Sequence, residues 1–146
     1  MEQKPAAGFH EMLDHLISAD RRGPSARTVE LFGWLILVEG SIMLLAPYLA
    51  ASILHLPALL EQAENYFRLV GLLTGGLGML YVVSGRLNAQ EFVFASLLDR
   101  PVVPFVMATL WHLGLIAWPL ALAFSIQDFG SFLWTLVTWR KERHSI

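Results

Sequence analysis

Four side chains able to hold charge or move protons stand inside long apolar stretches of this 146-residue chain: Glu39, Arg68, His112 and Asp128. An acid in such a place can relay a proton or meet a polar headgroup, and a guanidinium can neutralise an acid. The imidazole of His112, beside Trp111, could ligate haem iron or a chlorophyll magnesium. An Asp at mid-depth in a bilayer costs about 2.5 to 3.5 kcal/mol on insertion scales, so Asp128 calls for a partner on another helix. Ser125, Asp128, Ser131 and Thr135 share one helical stripe while Phe129, Leu133 and Val137 point elsewhere, and that stripe is expected to face protein.

The elements that must position these residues follow from composition. The chain is 55% hydrophobic and 15% charged, which excludes an ordinary soluble domain. Its apolar runs are apolar on all sides, which predicts an all-α integral membrane four-helix bundle with spans at about 28–46, 66–85, 102–118 and 120–139. Pro24, Ser25 and Thr28 are start signals for the first span, and Pro47 either ends or kinks it. Pro101 and Pro104 suit the start of the third, and Trp118-Pro119 a tight turn before the fourth.

Lys4, Arg21, Arg22 and Arg27 precede the first span, Arg86 and Arg100 lie between the second and third, and Arg140, Lys141 and Arg143 follow the fourth. The 47–65 connection holds only Glu61 and Glu64. The positive-inside rule then puts both termini and the middle loop in the cytoplasm. Residues 1–27 form an arm in which Phe9, Met12, Leu13, Leu16 and Ile17 recur at helical spacing, as in a helix lying on the membrane surface. The four-span domain covers 28–140 and a tail 141–146; "NAQEFVFASLLD" reads as a second, shorter interfacial helix, with Asp99 a cap for the helix that follows.

At about 1.5 Å per residue, Asp128 lies roughly 12 Å below the outer end of its span, His112 roughly 9 Å below its own, and Glu39 roughly 16 Å above the inner start. Arg68 begins near the outer surface with a side chain long enough to point inward. One ionisable residue per helix therefore predicts a shared polar cluster, with Arg68 paired to Asp128 or Glu39. Gly71, Gly75 and Gly78 lie with Arg68 on one face of the second span, which predicts close helix packing, or else a groove for a flat ligand such as a quinone, a chlorin or a lipid tail.

Other chemistry is excluded or unsupported. With no cysteine there is no disulfide, thiolate metal site or thiol catalysis. The histidines of "HEMLDH" are five apart, one too many for the H-E-x-x-H zinc motif, and no metal site is expected. No nucleophile and base are isolated by spacing, and nothing suggests nucleic acid.

The runs "YFRLVGLLTGGLGMLYVVSGR", "FVFASLLDRPVVPF" and "WPLALAFSIQDFGSFLWTLVTWR" resemble small bacterial four-helix membrane proteins related to the DoxX-like families. The likeness is carried by Arg68, Gly71, Tyr81, Arg86, Arg100, Asp128, Gly130, Trp134 and Arg140, over roughly 28–140. It implies an inner-membrane bundle with cytoplasmic ends, and some DoxX-type proteins are subunits of thiosulfate:quinone oxidoreductase or related redox systems. The expected function is a non-catalytic accessory subunit of a larger respiratory or photosynthetic membrane complex, organising helices, lipids or cofactors. The alternatives are a redox or quinone-binding protein using the polar cluster and, more weakly, a small transporter.

Overall fold

A computed structural model describes residues 8–18 and 22–144; Lys4 and Arg21 lie outside them. The described residues form seven helices: α1 (Phe9–Ser18), α2 (Pro24–Leu45), α3 (Pro47–Ile53), α4 (Glu61–Arg86), α5 (Gln90–Asp99), α6 (Val102–His112) and α7 (Trp118–His144). Four stretches are long and apolar enough to cross a membrane: Pro24–Leu45, Glu61–Arg86, Gln90–His112 and Trp118–His144.

Local chemistry sets the boundaries. Pro24 occupies the first turn of α2, where its missing N–H is harmless. At the other end Pro47 forces Ala46 out of helical geometry, to φ −134° and ψ 62°, so the first span ends at Leu45 and α3 starts afresh. Left-handed residues close three helices: His55 after α3, Asn88 after α4 and Gly114 after α6. Each sits in a paired turn in which its own N–H and the next residue's reach back to the last turn; for Gly114 these bonds are Gly114 N–H to Trp111 O and Leu115 N–H to Leu110 O, both 2.9 Å.

The Gly114 turn changes the third crossing. The expected span 102–118 is not formed, because α6 stops at His112 and Pro119 falls in the first turn of α7 instead of a loop. The crossing is Gln90–His112, and the segment expected to lie on the surface, α5, is its first half. Arg100 and Pro101 form the bend between the halves. Moving the crossing toward the N-terminus carries Arg100 from the membrane entrance into the interior.

The spanning helices form a row, α4–α2–α7–α6, with α5 packed beneath α2 and α7. The α2–α4 contact is the most extensive. Ala26, Gly33 and Gly40 on α2 oppose Gly71, Gly78 and Gly85 on α4, each set spaced by seven residues. A Cβ on Gly40 would stand 2.3 Å from Gly75 N, and one on Gly78 would stand 2.4 Å from Leu37 N, so these backbones pack with no room for a methyl group. In lipid, where apolar burial drives little association, such contact is a principal source of helix affinity. Large apolar side chains such as Leu73, Phe105 and Ile126 face outward, where acyl chains would cover them. The surface helix α1 buries none of its residues and rests against α4, with Phe9 and Ile17 about three-quarters exposed.

Gly40→Val should therefore destabilise the bundle by about 1 to 3 kcal/mol through overpacking. Gly76→Ala, at a position with open space around it, should be neutral or slightly stabilising. Loss of helical circular dichroism during titration of detergent-solubilised protein with SDS measures both.

Candidate functional site

Polar side chains run in a column beside α2 from the basic end of the bundle to mid-span, between α2 and its neighbours α4 and α7. At the basic end, Glu142 accepts hydrogen bonds from Ser25 N–H at 3.2 Å and Ser25 Oγ at 2.5 Å, capping the first turn of α2 from the last turn of α7. Asn88 Oδ1 accepts from Gly23 N–H at 3.2 Å. One turn further in, the buried carboxylate of Glu30 is paired with Arg86 at 3.0 Å and with Arg22. Arg86 also donates to Leu16 O at 3.2 Å, which ties α1 to the same knot.

Deeper lies Arg100, fully buried. It stands beside Phe32, which at about 1.5 Å per residue is about 12 Å from the start of α2. The Arg100 guanidinium carbon is 4.0 Å from the Phe32 ring centre and 5.2 Å from that of Tyr81. Its Nη1 donates to Thr135 Oγ1 at 3.0 Å and Ser131 O at 3.3 Å. Thr135 and Thr28 are hydrogen-bonded hydroxyl to hydroxyl at 2.9 Å, which extends the contact to α2. Nε and Nη2 are buried without a hydrogen-bond partner among the described residues. Asp128 and Asp99 lie close enough to act on Arg100 electrostatically, although neither forms a salt bridge with it. Stacking on two aromatic faces, worth up to about 2 kcal/mol when desolvated, offsets part of the penalty of burying this cation.

At mid-span Gln127 Nε2 donates to Glu39 Oε2 at 3.0 Å, linking α7 to α2, and Asp128 lies within electrostatic range of Glu39 as well as of Arg100. Beside this bond is a cavity of about 140 Å³ between α2, α3 and α7.

The expected four-residue cluster is not assembled. Arg68 sits in the second turn of α4, near the end of the bundle opposite the basic one, where Nη2 binds Glu64 at 2.8 Å and Nη1 donates to Leu44 O at 2.5 Å. Tyr48 donates to the same Glu64, and the carboxylate beside it holds the Tyr48 phenol above its ordinary range. Arg68 is thus engaged locally and pairs with neither Asp128 nor Glu39. His112 is the exposed last residue of α6, with no hydrogen bond or ion pair among the described residues, and it lies at the end of its span because Gly114 terminates the helix early. Gly71 and Gly78 press on α2, whereas a Cβ on Gly75 would meet only ordinary contacts at 4.0 Å. The residues missed were Arg100 and Glu30. Arg100 was visible as a charge beside Pro101, but its depth depended on where the third crossing ends.

Chemically the column can hold a buried cation between two acids, fix α2, α5 and α7 in register, and present carboxyl and amide groups to a mid-span cavity. No group of three or more metal-ligating side chains is found among the described residues. Comparison with protein-family models, with curated proteins and with solved structures finds no match.

Replacing Arg100 by Met, or Asp128 by Leu, should each destabilise the bundle by about 1 to 3 kcal/mol, the first by removing the Thr135 and Ser131 hydrogen bonds and the two aromatic contacts, the second by removing an acid that acts on Arg100. The double variant should lose less than the sum, by about 0.5 to 3 kcal/mol, as expected of coupled sites. A double-mutant cycle on the SDS-unfolding midpoint measures the coupling.

Proposed function

We propose that the chain is a non-catalytic accessory subunit of a larger inner-membrane complex, respiratory or photosynthetic, in which it holds helices, lipids or cofactors in place. The observation that carries this reading is the edge of the row. Helix α6 buries none of its residues, and its close backbone neighbours are α7 and the end of α5. Helix packing in lipid depends on intimate side-chain and backbone contact, and α6 lacks the close seam that α2 and α4 share. A subunit lying against α6 would complete it. The charge column supports the same reading, since its bonds fix the geometry of a scaffold without requiring a substrate.

The resemblance to DoxX-like proteins agrees with an inner-membrane bundle. Basic residues Arg22, Arg27, Arg86, Arg140, Lys141 and Arg143 gather at one end, and by the positive-inside rule that end is cytoplasmic. Helix α1, docked at that end with its apolar face uncovered, would lie along the cytoplasmic surface of the membrane or of the partner.

Extraction of the native protein in mild detergent, followed by blue-native electrophoresis and protein mass spectrometry, tests the proposal. The expected result is a stoichiometric membrane-protein companion, lost in Val106→Trp on the exposed face of α6 while helical content is kept. A stable monomer with no companion would overturn it.

A further inference from the structure

The cavity between α2, α3 and α7 combines two properties. Its walls are apolar, formed by side chains including Met43, Ala50, Ile53, Ala123 and Phe124. Its polar lining is the linked pair Glu39 and Gln127. The pair uses one oxygen and one nitrogen on each other, and Glu39 Oε1 and Gln127 Oε1 make no hydrogen bond among the described residues. Hydrogen-bonding atoms left unmet at this depth cost several kcal/mol each, because lipid tails cannot meet them.

Size and polarity decide what would meet them. About 140 Å³ would hold several waters at roughly 30 Å³ each, but an ordered water needs two to four polar partners. Two polar side chains could anchor water only beside themselves, which leaves the apolar volume to hydrocarbon. Arg100 acts on Asp128 and not within this cavity, and Arg68 is occupied by Glu64, so no cation here selects an anion. An acyl chain alone would fill the volume and leave both oxygens unmet. Ile53, 61% exposed, marks a side of the cavity open to the bilayer.

We infer that this cavity binds a membrane-soluble amphiphile whose uncharged head offers a hydroxyl to the free oxygens of Glu39 and Gln127. The head would hydrogen-bond with the pair while its ring or chain lies against Met43, Ala50 and Phe124. This site is independent of the α6 edge, so either can be tested without the other.

The test uses the full chain in nanodiscs, with equilibrium binding of three probes: a decyl-tailed benzoquinone, the corresponding quinol and monodecanoylglycerol, each corrected for partition into empty nanodiscs. Saturable binding of the quinol or the glyceride is expected, with the quinone, which has no donor, bound more weakly. Preference for the quinol would identify a ring-bearing head, and preference for the glyceride a lipid head. Gln127→Leu, which breaks the polar pair, and Ala123→Trp, which fills the volume from the α7 wall, should each weaken binding at least about tenfold. Glu39→Gln, which keeps a hydrogen-bonding head partner, should weaken it much less. Circular dichroism establishes that each variant is folded. Uptake no greater than partition for both the quinol and the glyceride, or affinity unchanged in folded Ala123→Trp, would overturn the inference.

Discussion

A guanidinium buried about a third of the way into a spanning bundle constrains everything packed around it. Arg100 is not held by a single counter-charge, since no carboxylate among the described residues reaches salt-bridge distance. It is held instead by two aromatic faces, a hydroxyl and a backbone carbonyl, drawn from α2, α4 and α7. Each contact fixes one helix relative to the others. Phe32 and Tyr81 meet edge to face at 5.4 Å, and Tyr81 meets Phe92 of α5 at 4.9 Å, so the aromatic box that receives the cation is itself built from three helices.

Around that centre α2 is held by two different forces. On the α4 side, glycine-flattened surfaces bring backbones together over two heptads, with dispersion as the cohesive term between them and the Glu30–Arg86 pair and the Arg68–Leu44 bond at the two ends. On the α7 side, contacts are polar and sparse: Ser25 with Glu142, Thr28 with Thr135, Glu39 with Gln127. The close side gives stability and the polar side gives register. Polar contacts that leave space between the helices are also what permits a cavity next to Glu39, where a glycine seam would have closed it.

The first, second and fourth crossings were legible because each is a long apolar run with clear stops at Pro47, Asn88 and the basic tail. The third was not. Pro101 and Pro104 resemble a helix start, and the start signal outweighed Gly114, whose left-handed turn ends the helix at His112. That misplaced register left Arg100 at the membrane entrance and Arg68 as the expected partner of Asp128. The need for a partner was readable from the energetics of a carboxylate in lipid; its identity was not, because helical periodicity gives the face of a residue and not its height against a neighbouring helix. Glu30 lies near the end of its span, and its burial depends on Arg22 and Arg86 closing over it, which spacing along α2 does not show.

The depth of Arg100 is therefore the central claim, and the absence of native cysteine makes it directly measurable. Single cysteines at positions 88, 100 and 114 would be exposed, in sealed vesicles of known orientation, to a membrane-impermeant maleimide from one side and then the other. The account predicts that position 88 labels from the basic side, position 114 from the opposite side, and position 100 from neither. Labelling of position 100 from the basic side as readily as position 88 would place it at the membrane entrance and contradict the account.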